Sequence, residues 1–154
     1  MKRKKQKAVI GWREWAGLPD LGVISIKAKI DTGARTSALH AHNLVEEETE
    51  DGRWARFVVQ PLQRRRFPAI ACRARVVERR RILSSNGQAE RRPVIRTRLQ
   101  LGPSLYEIEL TLTNRDEMGF RMLIGRKALK RRFLVDPGLS YLTTSDSEVA
   151  WPAA

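Results

Sequence analysis

The chain reads as an all-β protein, a small closed or folded-over β-barrel with one short helix near its C-terminal end. Three observations predict this. Apolar and polar residues alternate in short runs, turn signals recur at intervals of about ten residues, and helical periodicity is scarce. The 154 residues suit one domain. A domain of that size buries roughly 68–70% of its unfolded surface and needs no covalent staples.

The first clear strand is Val23-Ile24-Ser25-Ile26-Lys27-Ala28-Lys29-Ile30, alternating from Ile24 onward and running directly into Asp31-Thr32-Gly33. Trp54 to Val59, Ala71 to Val77, Pro93 to Leu101 and Tyr106 to Thr113 read as further strands. Asp51-Gly52 and Asn86-Gly87 are hairpin signals, since a type I′ turn needs positive φ at both central residues. Gly102-Pro103-Ser104 joins two of the strands as a turn. Phe120 to Ile124 is a last apolar strand. The helix is expected over Arg126 to Arg132, after Gly125, at most about two turns. Residues 1–7 read as a basic flexible tail, 8–143 as the folded domain, and 144–154 as a loosely ordered tail.

Composition narrows the chemistry. Cys72 is the only cysteine, so no intrachain disulfide can form, and a lone thiol fits a reducing cytoplasm. One Cys with His40 and His42 falls short of the four ligands of a structural zinc site. His40 and His42, two apart, would share one face of a strand. The basic start resembles a signal-peptide n-region, but Gly11-Trp12-Arg13-Glu14 interrupts any apolar h-region. No run approaches the ~20 apolar residues that span a membrane. The net charge is +13. Twelve Arg and two Glu lie within residues 63–98, and acids cluster at Glu46-Glu47-Glu48-Thr49-Glu50-Asp51. Such a field favours an anionic partner: nucleic acid, an acidic peptide or phosphate.

Asp31-Thr32-Gly33-Ala34 at the end of an apolar strand has a mechanical reading. The strand delivers a carboxylate to a tight turn, Gly33 brings its amide close to it, and Ala34 leaves room for substrate. Turns after strands also use Asp, Thr and Gly for structural reasons alone. A second element shifts the balance: Phe120-Arg121-Met122-Leu123-Ile124-Gly125-Arg126, an apolar strand ending in Gly-Arg before a short helix.

This pairing resembles the retropepsins, single-domain aspartic peptidases in which an Asp-Thr-Gly-Ala loop is braced by a later apolar-apolar-Gly-Arg segment. Lys29-Ile30-Asp31-Thr32-Gly33-Ala34-Arg35-Thr36-Ser37-Ala38-Leu39-His40-Ala41 is closer still to a bacterial retropepsin-like family labelled ATP-dependent zinc protease. Arg79-Arg80-Arg81-Ile82-Leu83-Ser84-Ser85-Asn86-Gly87, Arg92-Pro93-Val94-Ile95 and Met122-Leu123-Ile124-Gly125-Arg126 resemble it too. The resemblance covers about residues 8–142.

It implies a retropepsin-type barrel, a cytoplasmic peptidase and a dyad of carboxylates sharing one proton, one acting as base and the other as acid on a water. One Asp-Thr-Gly per chain implies a homodimer with Asp31 contributed twice and the two Thr32 cross-bracing. Asp31, Thr32 and Gly33 are the candidate catalytic loop, with Ile124, Gly125 and Arg126 as its brace. A flap hairpin centred on Asn86-Gly87 would bring Arg81, Ser84 and Ser85 to substrate, beside Ala34 and Arg35. The retroviral pattern has an aspartate where Arg35 stands. Arg126 therefore either finds another acid or, with Arg35, faces an anion. The family's association with ATP-grasp ligases that add glutamates implies a glutamate-rich protein tail as substrate. Zinc and ATP find no motif here: there is no His-Glu-x-x-His and no phosphate-binding Gly-x-x-x-x-Gly-Lys loop, so no metal or cofactor is expected. The rival reading is a non-catalytic basic module that binds RNA or the ribosome, or an adaptor for a glutamate ligase. Against RNA, the aromatics are not interleaved with the arginines along the chain, so no base-stacking platform is visible.

Overall fold

The computed structural model describes residues 6–62, 64–83, 86–114 and 119–143. It contains twelve strands: β1 (Ala8–Ile10), β2 (Arg13–Leu18), β3 (Val23–Asp31), β4 (Ser37–His40), β5 (His42–Thr49), β6 (Gly52–Val59), β7 (Ile70–Arg75), β8 (Glu78–Leu83), β9 (Ala89–Leu101), β10 (Ser104–Thr113), β11 (Met122–Gly125) and β12 (Phe133–Val135). Among the described residues it also has a 3-10 turn, Pro19–Leu21, and one helix, α1 (Arg126–Leu129). The tail residues 1–5 and 144–154, and Ser84 and Ser85 of the expected flap, lie outside the described residues.

The main sheet runs β10-β4-β11-β3-β2-β9-β8. Because β9 also pairs with β10, six of these strands close on themselves and β8 is left as an appendage. Closure removes free edges and encloses a core. Ile10, Leu18, Ile26, Leu39, Ile95, Leu99, Leu101, Leu110, Leu112, Met122 and Ile124 are fully buried there. The all-β, folded-over architecture expected from the sequence is the one observed. β5, β6 and β7 form a separate three-stranded sheet, and β1 pairs with β12 in parallel.

Three local expectations need correction. The alternation expected from Ile24 changes phase: Ile24 is 63% exposed while Ser25 is buried. Leu18 pairs with Val23 but Ala16 with Ile26, so β3 carries an extra residue there. A bulge of this kind turns the following side chains to the other face. The helix ends at Leu129, short of Arg132, because Lys130 adopts extended backbone and Arg131 a positive φ of 69°. His40 and His42 do not share a strand. His40 ends β4 and His42 begins β5, with rings 6.4 Å apart.

Candidate active site

Strand β11 positions the site. It lies between β3, to which it is parallel, and β4, to which it is antiparallel. In that register Ile124 faces Ile30 and Gly125 faces Asp31. Ile26, Ala28 and Ile30 of β3 and Met122 and Ile124 of β11 are buried, and the two strands end at the same level. The carboxylate and the Gly-Arg brace, some ninety residues apart in sequence, thus meet at one end of the barrel.

The loop after β3 folds back on its own aspartate. Asp31 Oδ1 accepts the amides of Gly33 at 3.1 Å and Ala34 at 3.2 Å. Such bonds fix the orientation of the carboxyl. Asp31 is half-buried, while Thr32 and Gly33 are exposed. Gly33 makes its turn without a left-handed backbone. Its value is spatial, since an added Cβ would sit 3.3 Å from Asp31 Oδ1.

The brace closes on the loop from the other side. The Arg126 amide donates to Ala34 O at 2.9 Å and the Lys127 amide to Arg35 O at 3.1 Å. The Arg126 guanidinium donates to Thr32 O and Gly33 O, each at 3.2 Å. Arg126 therefore holds backbone carbonyls, an outcome outside the acid-or-anion choice drawn from sequence. Gly125 donates its amide to Ser37 Oγ at 3.1 Å, and Thr111 Oγ1 donates to Ser37 O. Gly125 has no room for a side chain: a Cβ would lie 2.6 Å from Thr36 O and 2.9 Å from Ala34 O.

An open cleft of roughly 800 Å³ adjoins the loop, lined by Thr32, Arg35, Arg126, Lys127, Leu129, Lys130, Phe133, Leu134 and Val135. Among the described residues, its lining carries four cations and no acid. Arg35, Arg126, Lys127 and Lys130 are exposed, and Leu134 is 55% exposed on the floor. Lys127 is oriented by Glu109 at 3.0 Å, which also accepts from Arg80 at 3.1 Å. The Lys127 hydrogen bond, followed by that of Arg80, holds the Glu109 carboxyl below its ordinary range.

Among the sequence candidates, the structure brings together Asp31, Thr32, Gly33, Ala34, Arg35, Ile124, Gly125 and Arg126. It does not bring the hairpin into the cleft: no described residue of β8, β9 or their turn lines it. On the hairpin, Arg80 pairs across with Arg92 and Arg81 with Arg91. Like charges placed directly opposite repel. Arg80 and Arg92 are relieved by Glu78, Glu109 and Glu90. Arg81 and Arg91 stay exposed, as do Asn86 and Gly87 at the turn. Sequence reasoning missed Lys127, Lys130 and Ser37. The only signal for the lysines was their place in the basic run after Gly125.

Comparison with known proteins agrees with this geometry. The family model described as retropepsin-like aspartic endopeptidase RimB matches residues 9–146. A probable alpha-L-glutamate ligase of Shewanella pealeana is 49% identical over 135 residues, covering 88% of this chain and 30% of the ligase. A protein of the same name from Parasynechococcus marenigrum is 48% identical over 86% of this chain and 28% of its own length. The chain thus spans under a third of the length of these curated relatives. The crystal structure of a Legionella pneumophila protein of unknown function superposes with a TM-score of 0.73 at 29% identity, over 90% of this chain and all of that one. By the extent of the family match, on a fold and loop of the same kind, this chain belongs to the RimB-like family of retropepsin-like aspartic endopeptidases.

Proposed function

We propose that this chain is an aspartic endopeptidase whose dyad is made by Asp31 of two copies, acting on acidic, glutamate-rich protein tails. The observation that carries the reading is the braced loop. One oxygen of Asp31 is engaged by two backbone amides while Thr32 and Gly33 face solvent. Two such loops facing each other would place two carboxylates close enough to share a proton. The ionised partner would take a proton from water as its oxygen attacks the peptide carbonyl. The protonated partner would give its proton to the carbonyl oxygen, forming a gem-diol. As the C–N bond breaks, the carboxyl that took the water's proton would pass it to the leaving amine, and the other carboxylate would regain a proton from the gem-diol hydroxyl. Exposed apolar residues beside the loop, Leu134 at 55% and Val9 at 48% on the paired β12 and β1, suit a second copy.

The preference for acidic tails rests on the four-cation cleft beside Asp31. The names of the glutamate-ligase relatives are consistent with such a substrate. The test is hydrolysis of oligoglutamate-tailed and neutral peptides by the parent, Asp31→Asn and Arg35→Glu. The Asp31→Asn variant should lose cleavage by at least about 10³-fold, because an amide cannot act as base. The Arg35→Glu variant should spare the neutral peptide and slow the acidic one. Equal rates in parent and Asp31→Asn would overturn the catalytic reading. A second reading has one observation behind it. The match to under a third of each ligase fits a module that docks on such a ligase. Co-purification with the ligase by an uncleaving Asp31→Asn protein would favour it.

A further inference from the structure

The arginines that sequence order leaves scattered are gathered with an aromatic ring on one face of the small sheet. In the β5-β6-β7 ladder, Trp54 pairs with Arg75 and Glu47, Arg56 with Arg73 and Val45, and Val58 with Ala71 and His42. Residues two apart share a face, so Trp54, Arg56, Arg73, Arg75 and His42 project to the same, outward side. The inward side holds Ala55, Phe57, Val59 and Cys72, all buried.

On that outward face the Arg73 guanidinium carbon lies 4.0 Å from the Trp54 ring centre and that of Arg75 5.1 Å. A guanidinium held over an indole is restrained by the ring's π-face, yet its N–H donors remain unspent. Neither arginine makes an ion pair among the described residues. The one carboxylate on this face, Glu47, is engaged by Arg56. Beyond the His42 row, the segment after β6 carries Arg64, Arg65 and Arg66, all exposed, then Phe67, 63% exposed. With His42, Gln60 and Arg121 these three arginines line a cleft of roughly 470 Å³. From Ile70 to Arg75 the face runs on the order of 17 Å at about 3.3 Å per residue, room for two or three nucleotides beyond the cleft.

We infer that this face binds single-stranded RNA, with phosphates on Arg64–Arg66, Arg73 and Arg75 and bases against the guanidinium planes and Phe67. Cations set over an aromatic ring at one end of the face, with exposed Phe67 beyond its other end, suit a strand of bases and phosphates better than they suit carboxylates. The cleft beside Asp31 is lined by other residues, so this surface stands apart from the proposed peptidase site.

The test is fluorescence anisotropy of the whole chain with a labelled twelve-nucleotide single-stranded RNA and, separately, a labelled oligoglutamate peptide, between 50 and 300 mM salt. The expected log–log slope for RNA is about −0.7 per phosphate contacted, near −2 to −3.5 for three to five contacts. Arg73→Glu with Arg75→Glu should weaken RNA at least tenfold and flatten the slope. Arg73→Lys with Arg75→Lys keeps the charge and should keep the slope but weaken binding severalfold, which also guards against misfolding of the reversed variant. The charge-matched control, Arg96→Glu with Arg131→Glu, should weaken RNA no more than about twofold. Three results would overturn the inference: no salt-dependent RNA binding, equal loss in the control, or an oligoglutamate that binds as tightly as RNA and is lost with it in the Arg73, Arg75 variants.

Discussion

Replacing Gly125 by alanine would put a methyl carbon 2.6 Å from Thr36 O, 2.7 Å from Thr36 C and 2.9 Å from Ala34 O. Each of these atoms is backbone, so no side chain can swing away. The closest would have to retreat by at least 0.4 Å to reach the 3.0 Å floor of real Cβ contacts. Gly125 itself sits at φ −83° and ψ 169°, an extended conformation open to alanine, so the perturbation is purely steric. Overpacking of this kind costs about 1–3 kcal/mol. For a domain of this length that lowers Tm by roughly 3–10 °C. The segment that must give way is the one whose carbonyls are held by the Arg126 and Lys127 amides, directly after Asp31. A displacement near 1 Å at a reacting group costs on the order of 10²-fold in rate. Thermal denaturation and peptide hydrolysis should therefore both fall, the rate more than stability alone explains. Gly138→Ala, where the Cβ would meet only Asp136 Oδ1 at 3.4 Å, is the control. A Gly125→Ala protein that melts within about 1 °C of the parent would refute the steric argument.

Other expectations follow from single contacts. Glu14 is fully buried and accepts the amides of Gly11, Leu142 and Thr143 and the Thr143 hydroxyl. Glu14→Ala strands those donors and should cost about 3 kcal/mol or more, read by denaturant titration and by faster proteolysis around residues 139–143. Tyr106 donates to Ala128 O at 2.5 Å, and burial pushes its phenol up to about 12. The stability this represents is complete below pH 10 and declines as pH rises through 12; Tyr106→Phe should remove that alkaline dependence in urea unfolding series at pH 9 to 12. Glu109 is held below its ordinary range by Lys127 and Arg80. Its contribution is present above the usual carboxylate range and fades as pH falls through the depressed value, so Glu109→Gln should flatten acid unfolding by about 0.5–1 kcal/mol, modest because Lys127 is exposed.

Much of the fold was legible because strand periodicity is local. The alternation of Lys27 to Ile30 and the hairpins near Asp51-Gly52, Asn86-Gly87 and Gly102 each need only their neighbours to be read. The type I′ geometry expected at the first two is not observed: Thr49 pairs with Gly52 and Asp51 lacks a positive φ, and Leu83 pairs with Ala89, leaving five residues between β8 and β9. The short strands β1, β2, β4 and β12 were not anticipated. They are stabilised by distant partners, as Ala8–Ile10 is by Phe133–Val135. The bulge opposite Ala16 and Leu18 was equally hidden, since a register shift belongs to a pair of strands.

Asp31 and Gly125-Arg126 were found from sequence because a motif records which residue types a tight loop and its brace tolerate. What Arg126 holds was decided by the fold, which presents it with carbonyls of Thr32 and Gly33 in place of an acid. Likewise Lys127 and Lys130 acquire meaning only where α1 packs beside the Asp31 loop. The aromatic platform makes the same point most sharply. Trp54 stands nineteen and twenty-one positions from Arg73 and Arg75, and no pattern along the chain joins them. Antiparallel register alone sets the indole against both guanidiniums. Local pattern marked the longer strands, among them β3, and the carboxylate at its end. Neighbours across strands, and therefore the charge and shape of each surface, depend on long-range pairing that only the tertiary structure settles.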